Sequence, residues 1–392
     1  MSANDPAASV LGRATSLVQD RSLGAVREWK AAHPGGLAVG YMPIYVPRPL
    51  LEAIGCLPVA VFGGGDAIDI IRGDSYFQSY ICHIPRSTVE LALGGDLDAL
   101  DGMLFPSICD VIRNLGGMWN MLFPKTYTAY VDLPQNFEPA IGGRFYAGEL
   151  SRIARELEDR GARKLDPDAL RAAIRRENAR RAAIEELDAM RRAEPWRVRA
   201  TEAYLVVRAG AVLEAEAHDK LLREFIAAVK ERQGRPIDNV RVVLVGSFCE
   251  QPPFDLIRAL ERSGVDIVDD DFQLGLRMID GDIDGGGDPI AALGGAYLER
   301  GRDTASRYVG DLVKGAGLIA RVRASGADGV IFAAASFCDP ALLDQPMLEA
   351  ALSKAGIPHT SFKFSENMGQ FQVIREQAGA FSDAVKLWGA AS

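Results

Sequence analysis

"GVIFAAASFCDP", residues 329–340, decides how this chain folds. Gly329 to Ala335 are apolar, small or β-branched, without polar alternation. That is the pattern of a strand buried on both faces of a parallel sheet. Pro340 cannot continue a strand, and Asp339-Pro340 predicts a helix N-cap followed by the first helical residue. Cys338 therefore lies between a strand end and a helix start. "VRVVLVGSFCEQPP", residues 240–253, repeats the arrangement: a strand, Ser247-Phe248-Cys249, an acid at Glu250, two prolines, then helical periodicity in "FDLIRALERSG". In open α/β sheets, ligands bind outside the carboxyl ends of strands. Both thiols stand where chemistry is usually done.

Working outward, strands are predicted at 37–47, 57–65, 101–107 and 127–136, and again at 240–246, 266–272, 329–335 and 358–364, with helices between them. Residues 147–235 differ, being rich in Ala, Leu, Glu and Arg with helical spacing, and "KLDPDAL" marks one helix start. The expected architecture is α/β: two doubly wound parallel-sheet (Rossmann/flavodoxin-like) lobes with an intervening helical segment. The expected boundaries are an N-terminal helical segment over 1–35, a first lobe over 36–146, the helical segment over 147–235 and a second lobe over 236–392.

The 392 residues are 48% apolar and 25% charged, as in a globular protein of two domains. No apolar run approaches the roughly 20 residues of a membrane helix. The opening "MSANDPAASVLGRATSLVQD" lacks the basic start and apolar core of a signal peptide, so a cytoplasmic protein is expected. The formal charge of −9 argues against nucleic acid, and the Arg-rich runs of 147–235 read as solvated faces. No GxxxxGK[ST] loop is present, so this chain is not expected to hydrolyse ATP.

Five cysteines, an odd number with long spacings, do not form a disulfide framework, and no CxxC pair suggests a zinc ribbon. Cys109 follows the strand "GMLFP" and precedes Asp110 and a helix; Cys82, in "SYICHIPRSTVELAL", also precedes a helix. Cys82, Cys109, Cys249 and Cys338 thus stand near helix N-termini or strand ends, where backbone N–H groups favour the metal-binding thiolate. The fold would assemble them into one site from both lobes; the alternative is four separately buried small hydrophobes. Cys56, in the turn entering a strand, reads as structural. "DGDIDGGGD" places Asp280, Asp282, Asp284, Gly285 and Asp288 at calcium-loop offsets, but Ala291 occupies the final Glu position, which favours a plain loop. Gly63 to Gly65 lack the dinucleotide fingerprint. Arg86 and Lys125 are candidate phosphate or partner contacts, or simply solvated charges.

Taken in order, "SYICHIPRSTVELAL", "DGMLFPSICDVIRNL", "VVLVGSFCEQPP", "DIVDDDFQLGLRMI", "GVIFAAASFCDP" and "GQFQVIREQAGAF" resemble the benzoyl-CoA reductase / 2-hydroxyacyl-CoA dehydratase family. The likeness is strongest to the smaller cluster-bearing subunit of its ATP-dependent reductase branch, and covers nearly all the chain outside the N-terminal and central helices. It implies a [4Fe–4S] cluster whose three family ligands match Cys82, Cys109 and Cys338. Many members leave the fourth iron to a small ligand or substrate; Cys249, at a matching strand end, is the candidate fourth ligand here. The resemblance also implies a homologous cluster-bearing partner subunit, an ATPase activator with its own cluster, and benzoyl-CoA or a related acyl-CoA as substrate, reduced one electron at a time. Asp110, Glu250 and Asp339 would then either cap helices or lower the cluster's potential through their charge. His83, beside Cys82, is a candidate proton donor or partner to a sulfide, or a packing residue. One rival reading is a 2-hydroxyacyl-CoA dehydratase subunit that eliminates water through a ketyl radical. Another is a two-lobed small-molecule-binding protein without redox chemistry.

Overall fold

The computed structural model describes residues 5–246, 249, 251–307, 313–365 and 371–388. The first lobe is built on a four-stranded parallel sheet of β1 (Leu37–Tyr41), β2 (Cys56–Ala60), β3 (Gly102–Pro106) and β4 (Tyr127–Val131), in spatial order β2-β1-β3-β4. The second has β5 (Val240–Val245), β6 (Val265–Asp270), β7 (Gly329–Ala335) and β8 (His359–Phe364), in order β6-β5-β7-β8. Every residue of β7 is buried, which is what its unbroken apolar run requires. The order reverses between β1 and β3 and again between β5 and β7, so each lobe has one switch-point crevice.

Helices α1 (Ala8–Gln19) and α2 (Gly24–Ala32) replace the single helical stretch expected over 1–35. The break comes where the Asp20 carboxylate accepts from the Ser22 and Gly24 amides and Leu23 turns to φ +54°. The first sheet carries α3 (Arg48–Ala53), α4 (His83–Gly94) and α5 (Asp110–Leu122). Then come α6 (Arg144–Glu158), α7 (Pro167–Ala193), α8 (Ala200–Ala209) and α9 (Ala215–Lys230). As "KLDPDAL" predicts, the Asp166 carboxylate caps α7 by accepting from the Ala169 amide, with Pro167 in first place. α7 touches α3 of the first lobe and β6 of the second, while α1 packs on α8 and α9 over an apolar cluster that includes Leu187, Leu222 and Phe225. The second lobe adds α10 (Phe254–Glu261), α11 (Leu274–Arg277), α12 (Pro289–Arg300), α13 (Ala316–Ser325), α14 (Asp339–Lys354) and α15 (Gln372–Trp388).

β1 is shorter than its apolar run. It stops at Tyr41 because Pro43 and Pro47 have no N–H to donate and Tyr45 adopts φ +66°. Residues 42–46 become a buried wall of the first crevice instead. Across from it lies Gly275 of α11, where a Cβ would stand 1.9 Å from the Pro43 carbonyl oxygen. The lobes meet there in close backbone contact, and one apolar cluster runs through both, from Met42 and Ile44 to Leu244 and Ile331.

Candidate iron–sulfur site

Cys109 and Cys338 occupy equivalent places. Each follows the second strand of its switch point and stands at the N-cap of the next helix, α5 or α14. The acids expected as caps lie one residue further in: Asp110 and Asp339 are the first residues of their helices. The residue before each helix is a cysteine, so the carboxylates act on the helix dipole rather than as caps. Cys82 is likewise the N-cap of α4, and α4 touches α5. Cys249 differs: α10 begins only at Phe254, so this thiol lies in the connection after β5, short of the helix. Glu250, Ser247 and Phe248 lie outside the described residues, as do Gly369 and Gln370 of the last motif.

Charge couples the lobes' strand ends at two places. Burial pushes the Cys109 thiol up, the Ile112 and Val111 amides oppose this, and the Asp339 carboxylate of the other lobe adds to the rise. Cys249 in turn acts on the buried Tyr45 phenol, whose ionisation burial chiefly suppresses. Cys249 and Cys338 are buried members of the shared apolar cluster, and the half-buried Cys109 packs against it. Cys338 is reached through Phe337 at φ +66°, a left-handed turn that costs on the order of 1 kcal/mol for a non-glycine residue. It lets the Cys338 amide donate to the Ala335 carbonyl at 3.1 Å. The donor set is therefore thiols at helix N-termini and strand ends, in apolar surroundings, contributed by both lobes. That chemistry fits a cluster held by cysteine thiolates. Among the described residues, no three His, Cys, Asp or Glu side chains are grouped to hold a single metal ion. A cubane spreads its thiolates over separate irons, a wider arrangement than one ion demands.

The other expected groups fall elsewhere. Cys56 is buried in β2 and burial pushes its thiol up to about 12, in keeping with a packing role. His83, beside Cys82, is buried in the first turn of α4. Arg86 pairs with Asp74 at 2.8 Å, whereas Lys125 is exposed. Gly63 faces α4, where a Cβ would stand 2.2 Å from Ser87 Oγ, so close packing explains it. In the candidate calcium loop Asp280 pairs with Arg302 at 2.7 Å and Asp288 caps α12.

Beside the second crevice is a cavity of about 690 Å³, bordered by Val245, Gly246, Phe332, Pro340 and Arg307. Its volume is that of a small-molecule site. A buried ion network lies at its margin. Arg277 donates to Asp188 at 2.9 Å and also to Asp270, which receives Arg191 as well. Burial alone would push the Asp270 carboxyl up; Arg191 and Arg277 outweigh it and hold the group well below the ordinary carboxylate range. Sequence reasoning missed this network and Tyr45. The signal available was the run Asp269-Asp270-Asp271 ending a buried strand, where charge has to be paired.

Residues 43–385 match the 2-hydroxyglutaryl-CoA dehydratase, D-component family. The chain is 47% identical over 382 residues to a benzoyl-CoA reductase subunit of Thauera aromatica, covering 97% of this chain and 99% of that one. It is 25% identical over 351 residues to the (R)-phenyllactyl-CoA dehydratase beta subunit of Clostridium sporogenes, covering 90% and 92%. To the beta subunit of (R)-2-hydroxyglutaryl-CoA dehydratase of Acidaminococcus fermentans it is 27% identical over 370 residues, covering 90% and 93%.

Proposed function

The chain belongs to the 2-hydroxyglutaryl-CoA dehydratase, D-component family, and from that premise we propose that it is the iron–sulfur subunit of an ATP-dependent aryl-CoA reductase acting on benzoyl-CoA or a close relative. The observation that carries the choice of reductase over dehydratase is the 47% identity along nearly the whole length of a benzoyl-CoA reductase subunit, against 25% and 27% for the two dehydratase subunits. A [4Fe–4S] cluster bound here supplies one-electron transfer at low potential, and the residues that would hold it are Cys82, Cys109 and Cys338, with Cys249 as fourth ligand.

The chain's own groups account for the rest. Three of the four thiols stand at helix N-termini, where the dipole favours the thiolate; at Cys109 the Ile112 and Val111 amides work in this sense against burial, which pushes the thiol up. Burial of Cys249 and Cys338 keeps water from the site, which protects a strongly reducing centre. The 690 Å³ cavity that borders Gly246 and Pro340 is large enough for an acyl group beside the strand ends. The chain would act with a homologous partner subunit and a separate ATPase, since its sequence contains no phosphate-binding loop. Among the described residues no helix is long and apolar enough to cross a membrane.

The test is the Cys249→Ala variant, prepared without oxygen. Iron content of about four per chain in the wild type, mostly retained in the variant with a shifted midpoint potential, is the expected result. A wild-type chain without iron would overturn the cluster reading. An unchanged potential would remove Cys249 from the ligand set and leave the other three. Assay of the complex on aryl-CoA and 2-hydroxyacyl-CoA thioesters then separates reductase from dehydratase.

A further inference from the structure

Three of the four candidate ligands are fixed by the helix that each begins; Cys249 has no such helix, since α10 starts only at Phe254. A side chain two residues further on holds it instead. Gln251 Nε2 donates to the Cys249 carbonyl at 2.9 Å. The other end of the same amide, Oε1, accepts the Gln273 backbone N–H at 3.1 Å and Gln273 Nε2 at 3.0 Å. A backbone N–H can only donate and a backbone carbonyl can only accept, so these two partners settle which way the Gln251 amide points. Gln251 and Gln273 are each 2% exposed, so bulk water does not compete for these bonds.

Gln273 belongs to the turn between β6 and α11, and that turn is itself held. Gln273 stands at φ +53°, a left-handed conformation that a non-glycine residue keeps only where its surroundings impose it. The Phe272 amide donates to the Asp270 carboxylate at 2.8 Å, and the Phe272 carbonyl accepts Arg277 Nε at 3.0 Å. Asp270 and Arg277 are central to the buried ion network. Asp271 reaches back from the same turn to accept the Gly246 amide at 2.7 Å. The connection after β5 is thus tied to one braced turn at two points: at its start through Gly246, and at its thiol-bearing residue through Gln251.

We infer that Gln251 is a positioning residue, whose amide locks the backbone of Cys249 to the β6–α11 turn and so sets where this thiol stands in the crevice. For its consequence in the cluster-loaded protein, the inference rests on the reading of Cys249 as fourth ligand. It also gives the ion network a task beyond stability, which is to keep rigid the turn to which Gln251 is bonded. Without the Gln251 amide, buried donors and an acceptor on either side of it lose their partners, and the connection loosens locally.

The experiment uses the full chain prepared without oxygen. In its cluster-free form, the rate at which iodoacetamide alkylates each cysteine is followed by mass spectrometry at about pH 8. Gln251→Leu should raise the Cys249 rate roughly tenfold, as expected for the loss of one or two buried hydrogen bonds. Cys338 in the same lobe and Cys56 in β2 should keep their rates, because only the Cys249 connection is released. Gln251→Glu decides the matter should the leucine variant not fold. It keeps an acceptor for both Gln273 donors, which hold it ionised, and loses the donor to Cys249, so the same rise is expected. In the cluster-loaded chain both variants should retain iron and shift the midpoint potential as Cys249→Ala does. An unchanged Cys249 rate in Gln251→Glu overturns the inference, and so does a rise that Cys338 and Cys56 share. The alkylation readout needs no cluster, so it decides the inference even if the wild type holds no iron. A raised rate with an unmoved potential upholds the anchor and removes Cys249 from the ligand set.

Discussion

The two lobes have the same sheet order, yet their strand ends are furnished differently. β3 and β7 correspond: each ends in Ser-x-Cys-Asp, Ser107 to Asp110 in one and Ser336 to Asp339 in the other, with the cysteine at the start of a helix. The neighbouring strands diverge. After β1 come Met42 to Val46, a wall without thiols, whereas the matching β5 leads to Cys249. After β2 the chain runs to Cys82, whereas the matching β6 ends in Asp269 and Asp270, which pair with Arg191, Arg277 and Arg321. The shared element is the one that brings a thiol from each side. The divergent elements differ in exposure: the first lobe leaves Cys82 and Cys109 half-buried, and the second buries Cys249 and Cys338 beside a cavity braced by ion pairs.

Removing the shared element breaks the comparison most severely. Cys338→Ala and Cys109→Ala should each cost the complex more than roughly 100-fold in activity, since even groups behind a metal's ligands are worth about 10- to 100-fold. Iron content should fall in both, with the circular dichroism of the chain unchanged. If Cys109→Ala kept full iron and activity while Cys338→Ala lost them, the two positions would not be equivalent.

Asp270→Asn tests what is peculiar to the second lobe. It leaves two buried guanidiniums with only Asp188 between them, and stability should drop by about 3–5 kcal/mol, read from denaturant midpoints at constant slope. The pH dependence has a definite sign. Because the folded-state pKa of Asp270 lies below its unfolded value, its stabilisation is fully present above about pH 4 and is lost as pH falls through the folded value. Asp269, raised by burial but drawn lower by Arg321, behaves in the same sense. Wild-type stability should therefore decline below about pH 4 more steeply than that of Asp270→Asn; parallel decline would mean that the network does not control the acid limb.

The smallest effect should come from Asp110→Asn and Asp339→Asn, which probe the paired acids. Each removes a first-turn charge worth about 0.3–1 kcal/mol to its helix. The Asp339 change should also lower the pKa of Cys109 across the crevice, read by the rate of thiol alkylation against pH in the cluster-free chain. No movement of that rate would show that the two strand ends do not face each other in solution.

Much of this was legible in local residue patterns. Runs bounded by proline, glycine or polar turns place all eight strands: β2, β3 and β7, buried throughout, leave no room for alternation, whereas the edge strands β4 and β8 keep exposed or half-buried positions, and proline has no N–H for the ladder. The same reasoning places Cys82, Cys109 and Cys338 before helices, since thiol and helix start follow one another within a few residues. Other features depended on groups far apart in the chain. That Cys109 answers to Asp339, that Gly275 lies against Pro43, and that Asp270 is shared by Arg191 and Arg277 are relations closed only by packing. Short-range pattern reports how a segment meets its own backbone and the nearest apolar layer. Which charges meet in the interior is settled by how the lobes and the helical segment pack together.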